Sequence, residues 1–460
     1  MIRFAATTVA AVLLLLTAGG AGSAAARLLS VGWTTQDGAP KVVVHTDRHV
    51  RYRSAVVGDR LVLDLWPVAG TRRGWQPVAT GPVGAVRHET LRPGVLRLTV
   101  FLRGAVRYKV FRRADPHKIA VVVLPSHRAA VRLPRSVAYR KIRVRTGAGS
   151  TRAHVVTVDP ADPAISIRPV LGAETVQGRE ATAHAATRSD AVAAINGGFF
   201  APSNGQPLGL VMIDGKVLST PFPRRSVFAI TATGRPRISA FAFRGTLRTP
   251  TGAVPISAIN RPPRAGGVAV YTPEYGPLTP HHERPVLVRR GVIVGLPAGR
   301  VPIPDDGYVV TATARETDRL LRPLERGAPV RMQTSVEPEG VVHALGGGPR
   351  LVRDGRVDIP YGWEGFRPSV YARRTSRSAV GITRSDKVLL VAVEGPDEEN
   401  TGMNLREVAA LMRDLGAVEA MNLDGGGSST LVVGGRVVNR DESRQRAVPS
   451  MLVVTYRPQP

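Results

Sequence analysis

The chain has 460 residues, with 63 Lys and Arg against 35 Asp and Glu, 48 Gly, 37 Pro and no Cys. At 43% apolar and 21% charged residues, it is long enough to bury two or three cores and is neither a disordered tail nor a coiled coil. The lack of Cys excludes disulfide scaffolds, Cys-ligated zinc, iron–sulfur clusters and thiol nucleophiles, so any chemistry rests on oxygen and nitrogen groups.

Arg3, an apolar run from Thr8 to Ala18 around Leu13 to Leu16, and the small residues Ala24, Ala25 and Ala26 have the layout of a secretory signal peptide over residues 1–26. The alternative is one uncleaved anchor, although the run falls short of the ~20 apolar residues a spanning helix needs. No later segment reads as a bilayer span. The expectation is a secreted or periplasmic, envelope-associated protein, with no transmembrane segment after signal cleavage.

Arg27 to Thr146 holds 24 Lys and Arg against 6 acids, a net of +18 out of a total of +28. Outside a membrane, such a polycation suits peptidoglycan or another anionic wall polymer. Nucleic acid is not expected, because no aromatic stacking signature accompanies the charge. The competing account is that 57 Arg to 6 Lys reflects coding bias and solubility. Val50-Arg51-Tyr52-Arg53 recurs as Val106-Arg107-Tyr108-Lys109. The first copy lies between the apolar segments Lys41 to His45 and Leu61 to Leu65, the second between Val95 to Leu102 and Ile119 to Leu124. With turns at Gly58-Asp59 and Arg92-Pro93-Gly94, this predicts short antiparallel strands in an all-β, sandwich-like domain over 27–125. The two halves resemble an AMIN domain, an envelope-targeting module with a V-x-Y and L-V-L-D-L pattern. That resemblance implies binding to peptidoglycan or a septal ligand.

Residues 126–137, rich in Arg, Ala and Pro, read as a linker. From 138 to 460 the pattern predicts an α+β domain with mixed β-sheets and few helices. Its elements include strands at His154 to Val158 and Ile165 to Val170, a helix around Arg179 to Thr187, and a strand at Ala191 to Ile195. This last strand runs into Asn196-Gly197-Gly198-Phe199-Phe200, where two glycines let the backbone approach a ligand and the Asn amide offers a donor and acceptors. Further on come Leu345-Gly346-Gly347-Gly348-Pro349 and a turn at Asp354-Gly355. Arg373, Arg374 and Arg377 precede a strand, Val388 to Val393, that ends at Glu394-Gly395; guanidinium forks beside a carboxylate suit a phosphate ester.

Asn404 reads as an N-cap with Glu407 completing a capping box, and Leu405, Val408, Ala409, Met412 and Leu415 form one apolar face before Gly416. A strand from Val418 to Leu423 follows, so Asn422 and Asp424 share a face by the two-residue period. Gly425, Gly426 and Gly427 offer amides to an anion or sugar, Ser428, Ser429 and Thr430 add hydroxyls, and Gly434-Gly435 closes a hairpin. The Walker and Rossmann fingerprints fail here, and neither G-x-S-x-G nor H-E-x-x-H occurs. His281-His282-Glu283 reads as a solvated loop between prolines rather than a metal site, while the acid-rich loop Pro396 to Asn400 could hold a divalent ion. No cofactor is expected.

Taken in order, NGGFF, GGGP, the Arg377 strand with its acid-Gly end, and NLDGGGSST resemble the phosphodiester glycosidase family over about Tyr139 to Tyr456. The resemblance places Asn196, Arg377, Glu394, Asn422, Asp424 and Ser428 on motif positions, with Arg446 before the final strand. Two departures stand out: Ser376-Arg377-Ser378 where Pro-Arg-Thr is common, and Glu394 where Asp is usual. It implies an exported hydrolase cleaving the sugar–phosphate bond of glycosyl phosphodiesters in envelope glycans. Asp424, Glu394 and Arg377 would be catalytic. Asn196, Gly197, Gly198, Gly347, Gly348, Asn422, Gly425, Gly426, Gly427, Ser428, Ser429, Thr430 and Arg446 would bind substrate. The alternative is a non-catalytic accessory protein that binds wall glycan. A phosphate leaving group, whose second pKa is near 6, needs little protonation, so cations suffice to stabilise its departure while a carboxylate supports an oxocarbenium-like sugar.

Overall fold

The computed structural model describes residues 25–458 apart from 37–38, 58–59, 70–72, 81, 103–105, 114–116, 126–131 and 283. The signal segment up to Ala24, the Gly58-Asp59 turn, the first half of the linker and Glu283 therefore lie outside the described residues. The chain divides into two compact units, Met1–His127 and Arg128–Pro460.

Alternation of apolar and polar residues builds the first unit as two antiparallel sheets. One orders the strands Leu28–Gln36, Ala39–Thr46, Lys118–Pro125 and Val106–Arg113; the other orders Arg51–Val57, Arg60–Trp66, Val95–Leu102, Val83–Arg92 and Gly74–Thr80. Leu61, Leu63, Leu65, Leu96, Leu98 and Val100 of one sheet share a core with Val42, Val44, Val121 and Val123 of the other. The two copies of the V-R-Y repeat fall in opposite sheets, and the buried Tyr108 hydroxyl donates across to Ser54 Oγ at 3.2 Å. On the face away from that core, Asp64 accepts from Arg53 and Arg97. Burial alone would raise its carboxyl, yet the two guanidiniums hold it below the usual range.

The second unit is built on a seven-stranded antiparallel sheet in the order Val137–Thr146, Gly149–Val158, Val388–Val393, Arg377–Thr383, Ala417–Asn422, Arg350–Arg353, Arg356–Val357. One face shares a core with a five-stranded sheet ordered Ile165–Leu171, Ser450–Tyr456, Ala191–Asn196, Leu431–Val433, Arg436–Val437; Val156, Val380, Leu390 and Met421 meet Ile195, Leu431, Leu452 and Val454. The other face is covered by the helix Leu405–Asp414, whose Leu405, Val408, Ala409 and Met412 pack on Ala379, Leu389 and Val391. The predicted capping box is present: Asn404 Oδ1 accepts from Glu407 N and Glu407 Oε2 from Asn404 N, both at 3.0 Å. The helix expected around Arg179 to Thr187 forms at Thr182–Arg188.

Between Ala201 and Gly346 lie two further sheets for which the sequence reading had no strand. One has five strands around Val341–Gly346, the other seven, from Val292–Gly295 to Arg331–Glu337, with a core of Leu247, Ile259, Val270, Val288 and Val310. Mixed sheets with few helices match the predicted fold class. Among the described residues, no helix is long and apolar enough to cross a membrane.

Candidate active site

Asn196 closes a strand whose six residues are all buried. Its Nδ2 donates to the Gly197 carbonyl at 3.1 Å and the Asp424 carbonyl at 2.8 Å, while its Oδ1 accepts from Ser378 Oγ at 2.7 Å and Thr430 N at 3.0 Å. Four contacts use both N–H groups and both lone pairs of the amide. Asn196 thus ties together strand ends that sequence separates by 182 to 234 residues, and the expected contact with substrate gives way to this internal role.

The glycines beside it permit backbone contact. A Cβ on Gly198 would stand 2.0 Å from the Gly346 carbonyl, one on Gly197 2.4 Å from Ser450 Oγ, and one on Gly347 2.6 Å from the Asn422 carbonyl. Asn422 is likewise buried, with Nδ2 donating to the Gly348 carbonyl at 3.0 Å. Gly197, Gly198, Gly347, Gly348 and Asn422 therefore close loop on loop where ligand contacts were expected.

The loop Asp424-Gly425-Gly426-Gly427 is the accessible part of its motif, and Ser428, Ser429 and Thr430 behind it are fully buried. A single 3-10 turn, Gly426–Ser428, curls the chain inward, so that Ser428, Ser429 and Thr430 are buried before the strand Leu431–Val433 begins. Ser429 Oγ lies 3.0 Å from Ser378 Oγ, within hydrogen-bond reach. Two of the amides expected on phosphate are also engaged: Gly425 N donates to Asp424 Oδ1 at 3.0 Å and Gly426 N to the Ser376 carbonyl at 2.8 Å. From below, Arg440 donates to the Gly426 and Gly427 carbonyls at 2.8 and 2.7 Å, and Ser376 Oγ donates to the Gly426 carbonyl at 2.8 Å. The sequence reading missed Arg440 because nothing in a lone Arg after a hairpin marks it.

Asp424 sits half-buried at the mouth of this loop. Burial pushes its carboxyl above the ordinary range, while the Ser428 hydroxyl, the Gly425 amide and the Arg446 charge pull the other way. Arg446 is exposed and lies against Gly427, with Nη2 2.6 Å from where a Cβ would stand. A carboxylate and a solvent-facing guanidinium thus share one accessible loop.

Arg377 and Glu394 occupy different surroundings. Arg377 is buried with Nε on the Met403 carbonyl and Nη2 on the Val370 carbonyl, both at 3.0 Å, and burial pushes it down to about 10. Its alternation with Ser378 turns it to the helix-covered face, so it braces the loop where phosphate binding was expected. Glu394 lies beyond the end of the neighbouring strand, held by Arg152 Nε at 2.9 Å, His154 Nε2 at 2.8 Å and Asn400 Nδ2 at 2.9 Å. Burial lowers His154 despite the pull of Glu394. The neutral ring then donates from Nε2 to Glu394 and accepts at Nδ1 from the Tyr139 hydroxyl, 2.9 Å away. In the loop Pro396 to Asn400, Asp397 Oδ1 accepts from the Glu399 and Asn400 amides at 2.8 Å, a self-closed turn. No group of three or more metal-ligating side chains occurs among the described residues.

The family model described as phosphodiester glycosidase matches residues 189–270 and 279–455. A 65-residue stretch is 40% identical to mouse N-acetylglucosamine-1-phosphodiester alpha-N-acetylglucosaminidase, covering 14% of this chain and 12% of that protein. A solved hypothetical protein from Synechocystis is 24% identical with a TM-score of 0.64, over 94% of this chain and 81% of that one. A Burkholderia pseudomallei K96243 protein described as exported is 19% identical with a TM-score of 0.57, over 91% and 97%.

Proposed function

Because the chain belongs to the phosphodiester glycosidase family, we propose that it hydrolyses the bond between a sugar's anomeric carbon and phosphate in glycosyl phosphodiesters of the cell envelope. The observation that carries this reading is that half-buried Asp424 and exposed Arg446 border the same accessible Gly425 to Gly427 stretch, Asp424 opening it and Arg446 lying against Gly427. Arg446 receives the phosphate and stabilises its departing charge. The ionised Asp424 faces the anomeric carbon, where positive charge develops. Glu394, engaged by three donors, serves as a positioning residue. The Gly425 to Gly427 loop, pinned by Arg440 and Ser376, fixes where the ester lies, so little reorganisation is needed as the bond breaks.

The likeness to an exported protein and the signal-like first 26 residues support a place outside the membrane. The basic first unit, resembling an AMIN domain, would hold the enzyme to peptidoglycan or another anionic wall polymer.

The test is release of free N-acetylglucosamine from UDP-N-acetylglucosamine or another sugar-1-phosphodiester. Asp424→Asn is expected to lower kcat by about 100-fold or more, the scale of losing a charge-stabilising group, with unchanged circular dichroism. Saturable binding without turnover in the wild type would overturn the reading in favour of a glycan-binding accessory protein.

A further inference from the structure

A cavity of about 420 Å³, the size class of one small ligand, lies beside the helices Pro368–Ala372 and Leu405–Asp414. Its walls include Tyr361, Phe366, Pro368 and Tyr371, and its polar groups come from Asn404 and Arg406.

Three features distinguish it from a packing gap. Its rim keeps a large ring in solvent: Tyr361 is 61% exposed, its ring tilted against that of Tyr371 at 4.7 Å, and just outside the lining Trp363 is 62% exposed beneath the Arg224 guanidinium. Such rings suit the apolar C–H face of a pyranose. The exposed Arg406 has no ion-pair partner among the described residues, and Asn404 uses Oδ1 on its helix while its Nδ2 donates to none of them. Finally, the cavity adjoins the glycine segments packed behind the Asp424 loop. The Phe366 ring lies 5.2 Å from Phe199 of the NGGFF segment and within 3.0 Å of where a Gly348 Cβ would be. Arg377 links the cavity's helix wall, through the Val370 carbonyl, to the Gly425 loop, where a Gly425 Cβ would stand 3.7 Å from its Cδ.

Resting on the functional reading above, we propose that this cavity is a subsite for the alcohol side of the diester and that it takes a hexopyranose bearing a second phosphate. The ring lies on Tyr361, Phe366 and Tyr371, Asn404 Nδ2 donates to a ring hydroxyl, and Arg406 pairs with the far phosphate. The preferred substrate is then a polymer of sugars joined through phosphates, each ring flanked by two anions, with simple alkyl and nucleotide diesters turned over less well.

Calorimetric titration of the full chain with glucose 1,6-bisphosphate, glucose 6-phosphate and methyl glucoside tests this without turnover. The bisphosphate is expected to bind at least about tenfold tighter than the monophosphate, the scale of one charge-assisted hydrogen-bonded pair, and methyl glucoside weakest. Arg406→Ala should erase the preference for the second phosphate, and Tyr361→Ala should weaken all three ligands. Both side chains are exposed, so thermal unfolding should stay unchanged. Equal affinity for the two phosphates in the wild type, or an Arg406→Ala variant that keeps the preference, would overturn the proposal. Binding of the bisphosphate with that preference by a wild type that turns over no sugar-1-phosphodiester would retain the subsite and remove only the activity.

Discussion

Asp424 is asked to be charged in a place that disfavours charge. Its folded carboxyl titrates above the unfolded one because burial outweighs its hydrogen bonds, so folding penalises the ionised form. Its contribution to stability is whole in acid, below the unfolded carboxylate range, and is lost as pH rises through the raised folded value. Asp424→Asn should therefore unfold at a higher temperature than the wild type near pH 7, with the gap closing towards pH 3; a less stable variant at neutral pH would contradict this. The rate should fall in acid at a pH above that of an ordinary Asp. Glu394 carries a different expectation, since Arg152, His154 and Asn400 hold both its oxygens. Glu394→Gln should lower kcat by about tenfold, less than Asp424→Asn, with KM little changed; equal losses would make Glu394 a direct participant. At this scale the sequence named Asp424 and Arg446, which the structure brings to the same loop, but credited Arg377 with phosphate. Spacing along a strand tells which residues share a face, and only the packed helix shows that the Arg377 face is the covered one.

The helix Leu405–Asp414 was readable because its signals are local: a cap, a box partner three residues on and an apolar stripe. Asn404→Ala removes the cap and should cost about 1 kcal/mol, seen as a fall of a few degrees in Tm; no change would mean that the stripe alone sets the helix start. The glycine segments were legible as special but not as to purpose. A Gly that cradles a ligand and a Gly that lets two loops touch look alike in sequence, and the 2.0 Å clearance at Gly198 assigns it to the second kind. The strands between Ala201 and Gly346 escaped reading for a physical reason. Several, such as Val211–Ile213 and Lys216–Ser219, are three or four residues long, and bulges such as that between Ile230 and Thr231 interrupt their pairing, so no periodicity develops. The aromatic run Tyr361-Gly-Trp-Glu-Gly-Phe366 was the missed sign of the neighbouring cavity.

For the molecule as a whole, charge is the property the sequence exposes most directly. On the solvent face of the five-stranded sheet in the first unit, Trp75 lies 5.0 Å from Phe101, which Arg60 and Arg87 approach at 5.5 and 6.0 Å. A flat aromatic site among cations suits an anionic glycan. The full chain should sediment with teichoic-acid-bearing cell walls at about 50 mM salt and be released by about 500 mM, because exposed charge is screened within a few ångströms there. Trp75→Ala should weaken retention about tenfold. Salt-independent sedimentation, or none, would count against an electrostatic wall anchor.

The tie made by Asn196 has a consequence for how the protein comes into being. Its partners arrive from positions 378, 424 and 430, and the adjoining Gly197 amide waits for the carbonyl of Ser450. Nothing resembling a working centre can exist on a nascent chain until its last strand has been threaded between two earlier ones. The proposed activity is thus tied to the pairing of that strand, whose contacts are distant in sequence, and a truncation before Ser450 that spares Asp424 and Arg446 should still silence it.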